Sequence, residues 1–199
     1  MNRLSARLAS EAATESFRPL EDMTVVVHNS GMARWISMEL ARLNGVCASM
    51  RYPYPNTLLD LIAGLVIPGF KAAQQITVEC MTWRVMQVLP ELLDHPGFES
   101  IKAYCGNAQD DRALYQLAAR IADSFDQYSI FRPEMVLEWD AGQDKSWQPV
   151  LWRAVTVGNG MHRARQLQLM RESLRHSSPQ ITGLPRQISI FGISYLPPY

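Results

Sequence analysis

The sequence predicts an α/β protein that is predominantly helical and contains a small parallel sheet. Val25-Val26-Val27 is a wholly apolar strand of the kind found in parallel sheets that are covered on both faces. A turn with one glycine and then a helix follow this strand directly, within residues 24–40. Another strand, Gln187 to Phe191, comes only after a long stretch of helical periodicity. We therefore expect a sheet domain that the chain leaves after its second strand and rejoins with a later one.

The segment around the first strand has clear boundary signals. Ser30 can cap the helix that follows, and Gly45 lies where that helix should end. Val46 to Met50 is predicted as a short second strand. The prolines of the next stretch, YPYPNT, predict an extended turn, because a proline disfavours the helical region for the residue before it. This segment therefore predicts a strand, a helix and a second strand in succession.

Helices account for most of the remaining chain. A weak helical pattern covers Asn2 to Ser16, and a helix capped by Asn56 or Thr57 is expected to run to about Val66. The five tryptophans fall mostly on apolar helix faces, so we expect them to pack in the core. Four further stretches with 3.6-residue periodicity predict helices at Thr77–Leu93, Asp110–Ile130, Trp147–Val157 and Met161–His176.

The composition is that of an ordinary globular protein. Of 199 residues, 47% are hydrophobic and 19% are charged. No apolar run reaches membrane-spanning length and no secretion signal opens the sequence, so we expect a cytoplasmic protein without a membrane partner. The three cysteines are widely spaced and form no C-x-x-C motif, which favours structural thiols in a reducing compartment.

The charges are balanced in sum but uneven along the chain. The formal net charge is +0, which argues against a free-standing, non-specific nucleic-acid binder. Arginine supplies 16 of the 19 basic residues, and its forked side chain suits phosphates and base edges. Asp110 to Asp140 carries seven acids and three arginines, whereas Leu151 to His176 carries five arginines and one glutamate. Such a contrast indicates either solvated helix faces or an acidic and a basic surface for a ligand.

Several common catalytic motifs are missing from the sequence. A phosphate loop needs G-x-x-x-x-G-K-[ST], but the turn after the first strand has only Gly31 and no lysine. There is also no H-E-x-x-H or G-x-S-x-G pattern. Asp123 and Asp126 lie three residues apart and share one helix face, as catalytic or metal-binding carboxylates do. Pairing with Arg120 on a solvated surface is the simpler alternative for these two carboxylates.

Seven short blocks follow one another along nearly the whole chain: NSGMARWISMEL, YPYPNTLLDL, MTWRVMQVLPELL, LAARIADSFDQYSIFRPEMVLEW, SWQPVLWRA, HRA and FGISYLPP. In order and spacing they resemble the amino-terminal region of the RecC family, the gamma chains of exodeoxyribonuclease V. Members of the family are several times longer, so this sequence corresponds to their first part. The family also has a short strand before the Asn-Arg-Leu, whereas here Met1 adjoins Asn2, so we expect either that this sequence is truncated or that this strand is lost.

The resemblance implies a decayed superfamily 1 helicase fold, which is P-loop-like but has lost its ATPase motifs. Residues 1–66 and 186–199 would form the inactive helicase-like α/β domain (1A-like), and 67–185 an inserted helical subdomain (1B-like). The family acts in double-strand break repair and recombination with RecB-like and RecD-like subunits. It holds the complex together, binds single-stranded or forked DNA, and scans the 3′-ended strand for the signal Chi. No activity or cofactor is expected of this chain itself, since ATP and Mg²⁺ would be used by the partner subunits.

The family's signal-reading positions fall on ten residues, which we take as candidate DNA-binding residues. Asp123, Asp126, Arg132 and Arg163 keep the family residue. The other six positions depart from the best-known family pattern: His28, Ser30 and Arg34 replace Gln, Thr and Gln, Tyr54 and Ser124 each replace Leu, and Asp60 replaces Trp. The resemblance thus implies a retained framework with altered reading side chains.

Three functions remain open from the sequence. The first is a non-catalytic domain that recognises DNA and acts as a scaffold. The second is a purely structural module that docks partner subunits, and the third is an active nucleotide-binding helicase domain. For the first function we expect His28, Ser30 and Arg34 to share one groove with Asp123 and Asp126, because ligands bind at the carboxyl ends of parallel strands.

Overall fold

The computed structural model of the chain describes residues 2–12, 22–72, 75–107, 111–142, 146–158, 160–176 and 181–193. These residues form nine helices and three short parallel strands, which confirms the predicted predominantly helical class with a small parallel sheet. They divide into two compact units. The sheet unit comprises the described residues of Met1–Pro68 and Ser177–Leu196, and the helical unit comprises those of Gly69–His176.

The sheet unit is built around the predicted apolar strand, which is the central one of the three. The strand order is β2-β1-β3, and β1 pairs in parallel with both neighbours. Val25 and Val27 are fully buried, as a central strand requires. The elements of this unit are α1 (Asn2–Ala12), β1 (Met23–Val26), α2 (Ser30–Asn44), β2 (Met50–Arg51), α3 (Pro55–Val66) and β3 (Ile188–Ile190).

Helix α2 packs against the sheet through its apolar stripe. Ile36 and Leu40, four residues apart, are both buried and belong to the same core cluster as Val25. Trp35 packs against Phe191, with the ring centroids 5.9 Å apart. The helix ends at Gly45, whose φ of 79° is the left-handed conformation that glycine adopts most easily. The predicted strand, turn and helix are therefore confirmed.

Two boundaries near α2 differ from the prediction. The cap of α2 is Asn29 rather than Ser30, and its side-chain Oδ1 accepts a hydrogen bond from the Met32 backbone N–H at 2.8 Å. Strand β2 begins only at Met50, not at Val46. The reason is that Ser49 has a positive φ of 54°, which breaks an extended chain immediately before the strand.

Helix α3 also begins earlier than predicted. It starts at Pro55, with Tyr54 as an extended cap residue, and neither Asn56 nor Thr57 is its cap. Proline at the first helical position has a preset φ and needs no hydrogen-bond partner for its nitrogen, so no side-chain cap is required. The predicted helix from Asn2 to Ser16 is described as Asn2–Ala12, and its last four residues lie outside the described part of the chain.

The helical unit contains the four predicted helices and two that the sequence did not predict. The new ones are α5, a short helix with Gly106 near its end, and α7, which follows α6 after one residue and begins with Pro133. No helix among the described residues is both long and apolar enough to span a membrane. The helices are α4 (Val78–Leu92), α5 (Glu99–Asn107), α6 (Asp111–Phe131), α7 (Pro133–Asp140), α8 (Trp147–Thr156) and α9 (Arg163–His176).

The core of the helical unit centres on aromatic rings. Phe125 of α6 lies 5.4 Å from Trp152 and 6.0 Å from Trp139, measured between ring centroids, in edge-on geometry. All three rings are at least 95% buried. Trp83 does not follow the expectation of core packing, because 64% of it is exposed on α4.

A polar contact joins three helices beside this core. Asp140 at the end of α7 accepts a hydrogen bond from Trp152 Nε1 (2.8 Å) and lies 2.9 Å from His162 Nε2. His162 Nδ1 accepts a hydrogen bond from the Arg165 backbone N–H (3.3 Å). The ring proton is therefore on Nε2, which donates a hydrogen bond to the Asp140 carboxylate. Burial opposes ionisation of Asp140, but the hydrogen bonds from His162 and Trp152 outweigh it and lower the carboxyl pKa. His162 thereby caps α9 while it is held by α7.

Replacing Val26 by Asp should destabilise the sheet unit strongly. Val26 is 2% exposed in the central strand, so the new carboxylate would be buried without a partner. We expect a loss of roughly 3–5 kcal/mol in the free energy of unfolding, measured by urea denaturation. Val46→Asp is the control, because Val46 is 68% exposed and should tolerate the same change. Equal midpoints for the two variants would show that β1 is not the centre of a core.

Removing the Asp140 carboxylate should cost about 1–3 kcal/mol near neutral pH, because Trp152 Nε1 and His162 lose their acceptor. The lowered pKa means that this carboxylate stabilises the fold above its ordinary pKa of 3.8 and that the stabilisation disappears as pH falls through the folded-state value. Thermal melts between pH 7 and 2 should therefore show Asp140→Ala converging on the parent in acid. Glu138→Ala, a change at an exposed neighbour, is the matched control. If the melting temperatures of the parent and Asp140→Ala differ by the same amount at every pH, the Asp140 carboxylate is not the stabilising group.

Candidate functional site

The candidate residues of the sheet unit lie at the carboxyl end of β1. His28 lies two residues beyond the end of β1, after the buried Val27, and is exposed. Ser30 and Arg34 occupy the start and second turn of α2, four residues apart, so they project from one face of that helix. Both are exposed, and the guanidinium of Arg34 makes no hydrogen bond or ion pair with any other described residue. These three side chains are therefore available at the edge where parallel sheets bind ligands.

The amino terminus of α2 has an internal partner. Asn29 Oδ1 accepts from Met32 N–H, so one of the free donors of the first turn is occupied by a side chain of the protein. Gly31 favours this contact, because a Cβ at that position would lie 3.3 Å from Asn29 Oδ1 and the amide would have to shift slightly. In a phosphate loop those donors would face the nucleotide. The single glycine of this turn thus serves the cap rather than a phosphate cradle.

Tyr54 lies at the same edge of the sheet as His28. The hydrogen bond from Val27 N–H to the Pro53 carbonyl (3.1 Å) continues the β1–β2 pairing beyond the strands, which places Tyr54 beside the end of β1. Tyr54 is 45% exposed at the start of α3. Asp60 is half-buried six residues further along, in the second turn of the same helix. The sheet unit therefore presents His28, Ser30, Arg34 and Tyr54 at one edge.

Two candidates in the helical unit form hydrogen bonds within α6. Asp123 is exposed and accepts a hydrogen bond from Gln127 Nε2 at 3.1 Å. The Ser124 hydroxyl donates to the Arg120 carbonyl at 2.9 Å, one turn earlier in the helix. Asp123 keeps lone pairs for a ligand, whereas the Ser124 hydroxyl proton is committed to the helix backbone.

Asp126 is the electrostatic centre of the candidate residues in this unit. Burial raises the pKa of its carboxyl, the charge of Arg163 lowers it, and the carboxylates of Asp123 and Glu79 raise it again. Those three charges come from α9, α6 and α4, so Arg163, Asp123 and Glu79 all lie near enough to Asp126 to affect its ionisation. Glu79, which the sequence did not single out, belongs to the same cluster. We call these four residues the charged cluster.

Arg163 is held by a polar network that the sequence did not predict. Its guanidinium donates to Gln166 Oε1 (2.6 Å) and to Gln75 Oε1 (3.1 Å), and Gln75 Nε2 donates to Gln166 Oε1 (2.7 Å). Gln166 lies on the apolar stripe of α9 and is fully buried although its side chain is polar. A glutamine at a position where the periodicity expects an apolar residue was the available signal. The network fixes the direction of the arginine beside Asp126.

Arg132 lies apart from this network, at the corner between α6 and α7. Its guanidinium carbon is 5.6 Å from the centroid of the Tyr128 ring, which is a cation–π distance. The residue is exposed and is the N-cap residue of α7. Stacking of this kind keeps the planar guanidinium in place while its edge remains free to donate.

Asp123 also borders an open groove of about 780 Å³ along α5 and α6. Tyr104, Tyr115 and Arg120 line the same groove. Among the described residues, no three His, Cys, Asp or Glu side chains are grouped so that they would hold a metal ion. The candidate residues thus lie in two sets, one in each unit, and their convergence on a single groove stays a prediction.

The pKa of Asp126 should respond to each neighbour in a defined direction. Asp123→Asn and Glu79→Gln should lower it, because each removes a negative charge, and Arg163→Gln should raise it. Titration of the Asp126 carboxyl carbon by NMR measures the shift in each variant. Asp111→Asn is the control, since it lies 15 residues away, about 22 Å along the same helix. If the pKa of Asp126 is unchanged in Arg163→Gln, the charges of the charged cluster do not interact.

Comparison with known proteins places the chain in a family. The family model described as RecC, N-terminal domain, matches residues 1–199. The RecBCD enzyme subunit RecC of Escherichia coli (strain K12) is 32% identical over 193 residues, which cover 90% of this chain and 17% of that protein. The corresponding subunit of Haemophilus influenzae is 28% identical over 213 residues, covering 90% and 19%. That of Mycolicibacterium smegmatis is 28% identical over 193 residues, covering 90% and 17%.

The chain therefore spans less than a fifth of the length of these relatives. The match of the family model over all 199 residues agrees with the seven sequence blocks and with the strand, turn and helix of the sheet unit. The chain belongs to the RecC family and corresponds to its N-terminal domain.

Proposed function

We propose that the chain is a non-catalytic DNA-recognition and scaffold region of a RecBCD-type helicase–nuclease that acts in double-strand break repair and recombination. It holds the 3′-ended strand of single-stranded or forked DNA and scans that strand for a Chi-like signal. RecB-like and RecD-like subunits are its partners, and they supply the chemistry that uses ATP and Mg²⁺. The names of its relatives, each a RecBCD enzyme subunit RecC, support this assignment.

The observation that carries the proposal is the charged cluster. Asp126 and Asp123 lie on α6 and Arg163 lies on α9. The charges of Asp123 and Arg163 are close enough to shift the pKa of the Asp126 carboxyl. A carboxylate accepts hydrogen bonds from the amino groups of exposed bases, and arginine donates to phosphates and to base edges. An acidic pair beside a fixed arginine therefore offers both acceptors and donors to one unstacked strand.

The sheet unit supports the same proposal from the helicase side. We propose that it is the inactive helicase-like (1A-like) domain and that the helical unit is the inserted (1B-like) subdomain, and the division of the chain into two units supports this. The strand, turn and helix remain, but Asn29 occupies a donor that a nucleotide phosphate would need. Ser30 and Arg34 then extend from the helix toward a ligand at the sheet edge without any requirement for ATP.

A second candidate function is a purely structural module that docks partner subunits. It is favoured by the internal hydrogen bonds of two candidate residues, Arg163 to Gln75 and Gln166, and Ser124 to the Arg120 carbonyl. Such bonds would be sufficient reason for these residues to be present. The two candidates differ in what Arg34 and Asp126 should do when they are replaced.

The test uses the full-length protein assembled with its partner subunits. Arg34→Ala and Asp126→Ala should each change which DNA sequence triggers the signal-dependent response, with discrimination at one or two bases falling by roughly 5- to 150-fold. Unwinding of DNA without a signal should remain nearly as fast as in the parent. The readout is the pattern of 3′-strand ends on substrates whose signal is varied base by base.

Arg175→Ala and Glu138→Ala are matched controls, because both residues are exposed in the helical unit and lie outside the charged cluster. If Arg34→Ala and Asp126→Ala keep the parental signal preference but release a partner subunit during purification, the docking module is correct and the DNA-recognition proposal is wrong.

A further inference from the structure

Among the described residues of the helical unit, four aromatic side chains lie on the surface instead of in the core: Trp83, Tyr104, Tyr115 and Phe131. Trp83 of α4 is 64% exposed, Tyr104 of α5 is 53% exposed and Tyr115 of α6 is 45% exposed. The rings of Trp83 and Tyr115 lie 5.7 Å apart between centroids and are tilted by 50°. Exposed tryptophan is uncommon in a surface that only meets solvent, so these rings require an explanation.

One arginine whose guanidinium has no partner among the described residues lies beside two of these rings, Tyr104 and Tyr115. Arg120 lines the open groove of about 780 Å³ together with Tyr104, Tyr115 and Asp123. Its guanidinium forms no hydrogen bond or ion pair with any other described residue, unlike that of Arg163. We call Tyr104, Tyr115 and Arg120, together with Trp83 beside Tyr115, the aromatic groove. A free guanidinium beside exposed rings matches the phosphate and the bases of a nucleotide.

The spacing along α6 relates this groove to the charged cluster. Tyr115, Ala119 and Asp123 are four residues apart and follow one another along one face of the helix. The eight residues from Tyr115 to Asp123 span about 12 Å along the axis. An extended single strand advances roughly 6–7 Å per nucleotide, so this distance corresponds to about two nucleotides. Arg120 lies between the two positions, where the connecting phosphates would pass.

We propose that the aromatic groove is a stacking platform for single-stranded DNA. Bases stack on Trp83 and Tyr115, and Arg120 contacts the phosphates. The base on Tyr115 lies about two nucleotides along the strand from the base that contacts Asp123. Stacking on aromatic rings tolerates every base, so the groove would grip the strand without reading it. The inference rests on the proposed function, because it takes the strand held by the charged cluster as the occupant.

The composition of the groove favours DNA over a protein partner. Protein hot spots place tryptophan and tyrosine in desolvated pockets surrounded by packed neighbours. Here Tyr104 and Tyr115 line an open groove together with Gln116, Arg120 and Asp123, and Trp83 lies beside Tyr115. Polar and charged side chains beside exposed rings suit a chain in which phosphates alternate with flat bases.

Photocrosslinking in the full-length protein, assembled with its partner subunits, tests the platform. Forked DNA with a 3′-ended thymidine tail carries one 5-iododeoxyuridine, moved by one nucleotide at a time, and the crosslinked peptides are identified by mass spectrometry. We expect crosslinks to Trp83 or Tyr115 within a narrow window of positions. In Asp123→Tyr, a second window should appear about two nucleotides away, set by the spacing along α6.

Binding measurements complement the crosslinks. Trp83→Ala and Tyr115→Ala should each weaken binding of the tailed DNA roughly fivefold or more, whereas Trp83→Phe, which keeps a ring, should remain near the parent. Arg120→Gln should reduce the slope of log affinity against log salt by about 1. Arg175→Ala, an exposed arginine outside the groove, is the control for loss of a charge on this unit.

Failures of the two proposals can be told apart. Crosslinks to Asp123→Tyr without crosslinks to Trp83 or Tyr115 would overturn the stacking platform and leave the proposed function standing. No crosslink to either position would overturn both for the helical unit. Loss of a partner subunit in Trp83→Ala or Tyr115→Ala, with DNA crosslinks unchanged in Asp123→Tyr, would identify the aromatic groove as a protein interface and overturn the platform.

Discussion

The packing of α6 against its neighbours determines what the helical unit can present to a ligand. Phe125, together with Ala118, Ile121 and Ala122, buries one side of this helix among Trp152 and Val85. Because the helical repeat is fixed at 3.6 residues, burial of that side forces Arg120, Asp123 and Gln127 to the opposite side. Asp126 falls at the boundary, where burial raises its pKa without excluding it from solvent. The surface chemistry of α6 is therefore a consequence of how its core side is packed.

Polar contacts then fix the helices around α6 more precisely than apolar packing would. Hydrophobic contact is non-directional, whereas a hydrogen bond requires a defined distance and angle. The Asp140 carboxylate binds Trp152 and His162 at once and so ties α7, α8 and the start of α9 together. The next residue, Arg163, is oriented by Gln75 and Gln166. The arginine that acts on Asp126 is thus positioned by two consecutive polar anchors at one helix terminus.

The features that the sequence predicted correctly are those that depend on periodicity and on local backbone preference. The apolar run Val25 to Val27, the stripe of α2 and the glycine at residue 45 each leave a pattern within a few residues, and each is confirmed. Helix α7 was missed because Pro133 reads as a stop after α6, although proline is also favoured at a first helical position. The network of Gln75, Gln166 and Arg163 joins residues about 90 positions apart, so no local pattern contains it. Exposure of Trp83 likewise depends on which side of α4 faces α6, and a single side chain does not reveal that.

The turn after β1 shows how a strand, turn and helix can be ordered without a nucleotide. A helix amino terminus that keeps its donors free is suited to an anion, and nucleotide hydrolysis requires that anion to be a phosphate with a bound metal. Here Asn29 takes one of those donors and Gly31 provides the room for it. The energy of that contact stabilises the helix instead of a nucleotide, so the protein needs no ligand to keep the turn ordered.

The side chains of Ser30 and Arg34, in the first two turns of α2, then project from a rigid support. A fixed support is what discrimination between bases requires, because a side chain that moves freely can satisfy several bases equally well. One local contact, from Met32 N–H to Asn29 Oδ1, therefore both occupies a donor that a phosphate would need and fixes the helix that carries Ser30 and Arg34.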